Sequence, residues 1–244
     1  GDRRIRIASQ RFATQNRRPI MKGAFITATG TGVGKTWLAA ALASACVQRG
    51  KNVAAIKPME TGVDPDPLDA LALARACGDE SLANATGLYR AKEPLAPYAI
   101  EKRGGPSIGS LRALAKRVRE LASDTDYAIV EGVGGVLAPL DRDHTVADFA
   151  ALLDLQTVLV ARNALGVLSY TLTAVEALRK RKISVRAIVL NHVDRSYKGD
   201  LSRNSNADVL ADYIPRIPIL RAPRVQSPAD LVDTASILLN TLKI

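Results

Sequence analysis

Five short apolar runs recur along the chain, and each has the length of a buried β-strand. They cover residues 23–28, 52–57, 127–132, 157–161 and 186–191. Between them apolar residues return every three or four positions, as at Leu168, Leu172, Val175 and Leu178, a spacing typical of amphipathic helices. Strands that are apolar throughout and alternate with helices indicate a mostly parallel sheet with helices on both faces. The pattern therefore predicts an α/β fold.

The same pattern shows no sign of a second folded unit. Residues 22–244 contain no repeat and no linker-like change in composition, so we expect a single domain there.

A Pro- and Gly-rich stretch over 78–106 indicates irregular structure and is longer than a simple connecting loop. Ser107 is expected to begin the helix that follows this stretch.

Composition excludes several broad classes. With 47% hydrophobic residues among 244, the chain is too apolar to be disordered. It also lacks the run of about 18 apolar residues that a membrane span needs. Cys46 and Cys77 are the only cysteines and form no Cys-x-x-Cys pattern. This favours a reducing compartment, and we expect a cytoplasmic protein without a disulfide framework or a zinc ribbon.

Half of the net charge of +10 lies at the start of the chain, where residues 1–20 contain six arginines and one acidic residue. We treat residues 1–21 as a basic leader. Three origins stay open: an organelle-targeting peptide, a nucleic-acid-binding arm, or residues from a vector or an upstream reading frame that precede a start at Met21. Deleting residues 1–20 should leave the activity of the folded domain unchanged.

The first apolar run leads directly into a glycine-rich turn, and an alanine-rich helix pattern follows. Residues 28–36 read Ala-Thr-Gly-Thr-Gly-Val-Gly-Lys-Thr. Backbone N–H groups of such a turn and the helix dipole together bind phosphate, while Lys35 can reach the β- and γ-phosphates and the Thr36 hydroxyl can ligate Mg²⁺. The strict G-x-x-x-x-G-K-[ST] pattern fails because its first glycine falls at Thr29. The segment predicts phosphate binding and leaves the nucleotide open.

Three further polar residues lie where ligands bind in open α/β folds, near the ends of strands. Glu131 lies at the end of the third run and precedes Gly132-Val133-Gly134-Gly135, which suits a Mg²⁺ ligand beside an accessible backbone. Lys57 ends the second run and could bring a second cation to a transferring phosphoryl group. Asp69 begins a helix, where an acidic residue is expected in any case, and its metal role is the least secure of the three.

An ordered set of motifs over about 28–220 resembles the dethiobiotin synthetase family. The motifs are residues 28–36, 56–62, 69–71, 93–99, 130–135, 165–166 with 172–173, and 191–194. The phosphate loop that fails the strict pattern is similar to this family's own variant loop. Ala28, Tyr98 and Ser169 depart from residues that are frequent in the family.

The resemblance implies a P-loop NTPase fold and an ATP-dependent ligase that closes the ureido ring of dethiobiotin from 7,8-diaminononanoate and CO₂ or bicarbonate. It implies that Lys35 and Lys57 are catalytic and that Thr36, Asp69 and Glu131 hold Mg²⁺. It also implies a homodimer with sites at the subunit interface. The remaining implied contacts are ATP binding by Gly30, Thr31, Gly32, Val33, Gly34, Lys35, Thr36 and the adenine-reading Asn191, and substrate binding by Thr61, Gly132, Val133, Gly134, Gly135, Leu165, Gly166 and Val167.

Two other classes remain as alternatives. A positioning or partitioning ATPase of the deviant-loop group usually carries a signature lysine five residues before the loop lysine, where this chain has Gly30. An amidotransferase-type synthetase would need a glutamine-hydrolysing cysteine with a base. The basic run 179–182 lies at a helix end, where the dipole favours cations, and we expect no nucleic-acid binding there. His144 and His192 are assigned no role.

Overall fold

The computed structural model describes residues 21–193, 199–224 and 227–244. Its central feature is a six-stranded parallel sheet with the strand order β2-β5-β1-β6-β7-β8. These strands are β1 (Gly23–Ala28), β2 (Val53–Ile56), β5 (Tyr127–Glu131), β6 (Gln156–Arg162), β7 (Val185–His192) and β8 (Ile219–Arg224). A separate parallel pair consists of β3 (Met59–Thr61) and β4 (Tyr89–Ala91).

Helices cover both faces of the large sheet. They are α1 (Lys35–Gln48), α2 (Leu68–Cys77), α3 (Pro97–Lys102), α4 (Leu111–Leu121), α5 (Val146–Leu153), α6 (Val167–Lys180), α7 (Ser202–Tyr213) and α8 (Val232–Leu242), with 3₁₀ turns at Glu80–Asn84 and Pro228–Leu231. None of these helices is both long enough and apolar enough to cross a membrane, for the part of the chain that the model describes.

Alternate residues of each strand supply the two halves of the core. In β1, Ala24 and Ile26 pack in the cluster that contains α1 and α8, whereas Phe25 packs in the cluster that contains α4 and α5. Farther along the sheet, β6 and β7 use Leu159 and Ile188 to pack with α6 and α7. This alternation follows from the two-residue period of a strand. The predicted α/β fold, with a mostly parallel sheet and helices on both faces, is confirmed.

The register of β1 brings distant parts of the chain to one edge of the sheet. Ile26 is aligned with Glu131 of β5 on one side and with Val158 of β6 on the other. The carboxyl ends of β1 and β5 therefore lie next to each other. Ligands of open α/β folds bind at this edge.

Three features differ from the sequence-based expectations. The strands β3, β4 and β8 lie outside the five predicted runs. The stretch 78–106 is not wholly irregular, since it contains a 3₁₀ turn, β4 and α3. The expectation that Ser107 begins the following helix was wrong: Ser110 is the N-cap of α4, and its Oγ accepts a hydrogen bond from Ala113 N. The basic leader, apart from Met21, lies outside the described residues.

Candidate active site

The phosphate loop, residues 29–34, connects β1 to α1 and depends on glycine at specific positions. Gly32 and Gly34 have φ values of 70° and 91°, a left-handed conformation that glycine adopts without strain. A Cβ atom on Gly34 would also lie 2.6 Å from Nδ2 of Asn191. Gly34 is the N-cap of α1, and Lys35 is the first residue of that helix. The strand, glycine-rich turn and helix predicted from the sequence are all present.

The side chain of Lys35, the first residue of α1, lies against the phosphate loop. Its side chain is buried, and Nζ donates a hydrogen bond to the carbonyl of Gly30 at 3.1 Å. Burial, followed by repulsion from Lys57, lowers the pKa of Lys35 to about 8. An anion that reached Lys35 would compensate for this desolvation. The lysine is therefore suited to binding a phosphate group.

Lys57, Asp69, Glu131 and Thr36 form a connected cluster beside the loop. Lys57 Nζ lies 2.6 Å from Glu131 Oε1 and 2.9 Å from Asp69 Oδ2. Thr36 Oγ1 donates to the same Glu131 oxygen at 2.9 Å. These side chains come from the ends of β2 and β5 and from the first turns of α1 and α2. The predicted catalytic and metal-binding residues are thus brought together.

The electrostatics of the cluster favour a charged lysine. Burial acts to lower the pKa of Lys57, but the facing carboxylates of Glu131 and Asp69 outweigh it and hold the pKa above its ordinary value. Burial raises the pKa of Glu131, and the nearby Lys57 only partly opposes this. For Asp69, burial is outweighed by Lys57, and its pKa is lowered. Glu131 is therefore the carboxylate that most needs neighbouring positive charge.

The loop after β5 packs directly on the phosphate loop. Gly132 N donates to the carbonyl of Ile26, and Val136 N donates to that of Ala28, both at 2.9 Å. A Cβ atom on Gly135 would lie 3.0 Å from the carbonyl oxygen of Thr29. A Cβ contact of this length is tighter than most, so glycine suits the close approach of the two backbones. The two loops therefore form one continuous surface.

A cleft of about 1060 Å³ opens over this surface. Thirteen of the residues singled out from the sequence line it, from the phosphate loop, the charged cluster and the loop after β5. They are Gly30, Thr31, Gly32, Gly34, Lys35, Thr36, Lys57, Thr61, Asp69, Glu131, Val133, Gly134 and Gly135.

Six of the predicted site residues do not line this cleft. Val33 and Asn191 are buried, and Asn191 Nδ2 donates to the carbonyl of Val33 at 2.9 Å, which supports the phosphate loop from beneath. Gly132 packs against the ring of Phe25. The segment Leu165–Val167 lies at the start of α6, with Leu165 81% exposed. The ligand contacts implied for these residues stay predictions.

Sequence reasoning missed other residues of the cleft, among them Glu60 and Tyr170. Glu60 lies within the quoted motif 56–62 but was given no role. Its carboxylate accepts hydrogen bonds from Asp69 N at 2.8 Å and Ala70 N at 3.0 Å. Its position three residues after Lys57, close to the end of β2, was the signal in the sequence that could have identified it. Tyr170 packs against Gly166 and offered no signal in the sequence.

The cluster has the donor chemistry of a magnesium site. Oε2 of Glu131 is buried and has no hydrogen-bond partner within the described residues, and Thr36 and Asp69 offer further oxygen atoms beside it. The described ranges contain no group of three or more His, Cys, Asp or Glu side chains that could hold a metal ion. A cation bound here would therefore take its other ligands from phosphate and water, as Mg²⁺ does.

Comparison with known proteins agrees with this geometry. A family model described as an AAA domain matches residues 22–224. The ATP-dependent dethiobiotin synthetase of Anaeromyxobacter sp. (strain Fw109-5) is 37% identical over 211 residues, which cover 86% of this chain and 93% of that protein. The enzyme of the same name from Endomicrobium trichonymphae is 33% identical over 193 residues, which cover 78% of this chain and 87% of that one.

Among solved structures, a ParA family ATPase from Chlorobium tepidum TLS superposes with a TM-score of 0.51 at 19% identity, covering 91% of this chain and 96% of that chain. At this identity the likeness shows a shared fold and nothing about a partitioning role. The match over 22–224 and the identity to full-length relatives are far more specific. The chain belongs to the ATP-dependent dethiobiotin synthetase family.

Proposed function

We propose that this chain is an ATP-dependent ligase of biotin biosynthesis that closes the ureido ring of dethiobiotin from 7,8-diaminononanoate and CO₂. The observation that carries the proposal is the position of Lys35 and Lys57. The Lys57 ammonium group contacts Glu131 and Asp69. The Lys35 ammonium group contacts the phosphate loop at Gly30 and lies close enough to Lys57 for the two charges to interact. Two cations beside a phosphate-binding loop suit phosphoryl transfer, in which negative charge spreads over the transferring group.

The reaction proceeds in three balanced steps. One amine of the substrate adds to CO₂ and loses a proton, which gives a carbamate. A carbamate oxygen then attacks the γ-phosphorus of ATP, and ADP leaves, so that a carbamic-phosphoric anhydride forms. The second amine attacks the anhydride carbonyl, loses a proton and expels phosphate as the ring closes. No protein nucleophile takes part.

The residues of the chain act by binding and by charge stabilisation. Lys35 and Lys57 stabilise the phosphoryl oxygens as charge develops on them. Thr36, Asp69 and Glu131 are the residues that would hold Mg²⁺, which would supply further neutralisation at the β- and γ-phosphates. Thr61 and the backbone N–H groups of Val133, Gly134 and Gly135, which line the cleft, hold the carbamate in line with the phosphate.

The walls of the cleft suit the hydrocarbon part of the substrate. Pro94, Leu95, Pro97 and Leu137 line the cleft together with the charged cluster. An aliphatic chain with two amines at one end and a carboxylate at the other suits a cleft that has both apolar and charged lining residues. We also propose that Asn191 reads the adenine edge of ATP, which requires its buried amide to become accessible to the nucleotide. Cys46 and Cys77 are free thiols, which supports our placement of the reaction in the cytoplasm.

We place the carboxylate of the substrate at the start of α6 of a partner subunit, at Leu165, Gly166 and Val167. A helix N-terminus favours an anion. Leu165 is exposed, as are Tyr170 and Leu137 in the lining of the cleft, and these exposed apolar side chains support burial against a second copy of the chain. Leu165→Asp should convert the dimer to a monomer in sedimentation, whereas Ile237→Asp, exposed on α8, should not. A wild-type chain that sediments as a monomer at assay concentration would refute the shared site.

The ligase proposal is tested by measuring ADP release with ATP, Mg²⁺, 7,8-diaminononanoate and bicarbonate all present, and with the diamine or bicarbonate omitted. We expect turnover only in the complete mixture, together with formation of dethiobiotin by mass spectrometry. ADP release that is independent of the diamine would refute the ligase and would favour a nucleotide-cycling ATPase.

A further inference from the structure

The small sheet formed by β3 and β4 adjoins the charged cluster but is separate from the six-stranded sheet. Its register pairs Glu60 with Arg90. Paired positions of neighbouring parallel strands place their side chains on the same face. Glu60 is buried and Arg90 is partly buried. A buried carboxylate and a partly buried guanidinium group need a structural reason.

Glu60 acts on the backbone of Asp69. Its carboxylate accepts from Asp69 N at 2.8 Å through Oε1 and from Ala70 N at 3.0 Å through Oε2. The helix α2 has no cap of its own, because Pro67 precedes it and makes no side-chain capping bond. Free N–H groups in the first turn of a helix need an acceptor, and a carboxylate satisfies both the groups and the helix dipole. Glu60, which lies in β3, therefore caps the N-terminus of α2.

Arg90 acts in the same way on the backbone of Lys57. One guanidinium nitrogen donates to the carbonyl of Lys57 at 3.0 Å and to that of Tyr89 at 2.9 Å. The other terminal nitrogen donates to the carbonyl of Ala83 at 3.1 Å. Burial lowers the pKa of Arg90, and the Glu60 carboxylate opposes this. Arg90 thus ties the end of β2 to β4 and to the 3₁₀ turn.

We propose that Glu60 and Arg90 are a pair of positioning residues that together set the geometry of Lys57 and Asp69. Glu60 fixes the backbone of Asp69, and Arg90 fixes the backbone of Lys57. The side chains of Lys57 and Asp69 in turn lie 2.9 Å apart. The inference rests on the proposed function, because it assigns Asp69 to Mg²⁺ and Lys57 to the transferring phosphoryl group. Displacement of such groups by about 1 Å is enough to weaken a site substantially.

A purely structural role would change stability without changing metal dependence, and the test separates the two. Binding of a fluorescent ADP analogue is titrated with Mg²⁺, without diamine or bicarbonate, for the wild type, Glu60→Gln and Glu60→Ala. We expect Glu60→Ala to raise the Mg²⁺ concentration at half-saturation by about tenfold, with nucleotide affinity in EDTA changed by less than about twofold. Glu60→Gln, which keeps one acceptor oxygen, should lie between it and the wild type.

Asp79→Ala is the matched control, because Asp79 also caps a helical turn by accepting from Ser81 N but lies outside the cleft. It should lower the unfolding temperature and leave the Mg²⁺ midpoint unchanged. Arg90→Lys, which keeps the charge but not the forked donor geometry, should lower kcat more than it changes KM for ATP. A Mg²⁺ midpoint in Glu60→Ala that equals that of the wild type would overturn this inference and leave the proposed function standing. An equal shift of the Mg²⁺ midpoint in Asp79→Ala would do the same. A wild-type chain that binds no nucleotide would overturn the proposed function with it.

Discussion

Lys57 Nζ lies 2.6 Å from Oε1 of Glu131, and both side chains are almost completely buried. The two residues are 74 positions apart in the sequence. Burying one charge without the other would be strongly unfavourable. The pair therefore links the end of β2 to the end of β5, and both residues line the cleft.

Glu131→Gln should lower turnover by about 10²- to 10³-fold. The substitution keeps the size of the side chain but removes the charge that holds Lys57 protonated and that would bind Mg²⁺. Turnover is measured as ADP release in the complete reaction mixture. Glu176→Gln is the control, since Glu176 is exposed and pairs with Arg179 on α6; it should stay within about twofold of the wild type. Wild-type turnover in Glu131→Gln would exclude the proposed metal and charge role.

Lys35→Ala should abolish phosphoryl transfer and leave the fold intact. The Lys35 ammonium group is buried in the phosphate loop, and its removal takes away charge stabilisation that is worth at least about 100-fold in rate. Turnover and the circular dichroism spectrum are compared with those of Lys51→Ala, whose lysine is exposed after α1. A Lys35→Ala enzyme that turns over at a near-normal rate would refute the role of Lys35.

Gly34→Ala should lose both stability and nucleotide binding. Position 34 has a φ of +91°, which alanine rarely adopts. The new Cβ atom would also lie 2.6 Å from Asn191 Nδ2, which must then move away from the phosphate loop. Gly50→Ala is the matched control: its φ is +72°, nothing lies within 4 Å, and it is remote from the cleft. The control should lose about 1 kcal/mol in urea unfolding and bind a fluorescent ADP analogue normally. Equal binding by the two variants would contradict the proposed clash.

Asp148→Asn should destabilise the fold in a pH-dependent way. Burial acts to raise the pKa of Asp148, but hydrogen bonds from Arg181 and Thr145 outweigh it and lower the pKa to about 2, from 3.8. A carboxyl group with a lowered pKa contributes stability that is complete above its unfolded value and is lost as the pH falls towards its folded value.

Because the pair of Asp148 and Arg181 is partly exposed, we expect a difference in unfolding free energy of about 1 kcal/mol at pH 7. The difference should shrink by about half at pH 3 and be mostly lost at pH 2. Urea unfolding at these pH values measures it, with Asp212→Asn on the exposed face of α7 as the control. A difference that stays constant from pH 7 to pH 3 would show that packing, and not charge, is responsible.

Strands buried on both faces could be predicted because their apolar runs are continuous. The run at 23–28 has the same bounds as β1, and those of β2, β5, β6 and β7 differ by no more than one residue at either end. The strands β3 and β4 have three residues each, too few to show a period. In β8 the run is interrupted by Arg221 and Pro223, which an edge strand tolerates and a central strand does not.

The charged residues of the site could be predicted because parallel strands end at the same edge of a sheet. That rule located Lys57 and Glu131, and the glycine-rich turn located Lys35 and Thr36. The contribution of Glu60 was not predictable, because it acts through backbone N–H groups of another element. The contact of Asn191 with the phosphate loop depends on the packing of β7 beneath it, which has no signature in the sequence.

Thr36 and Glu131 are hydrogen-bonded across 95 residues of sequence, and this separation bears on how the protein acquires its activity. Helices such as α1 form from local contacts, whereas the pairing of β1 with β5 requires closure of a long loop, which is slow. During refolding, helical circular dichroism should therefore recover before nucleotide binding does. The recovery of ATP binding would then follow the pairing of β1 with β5.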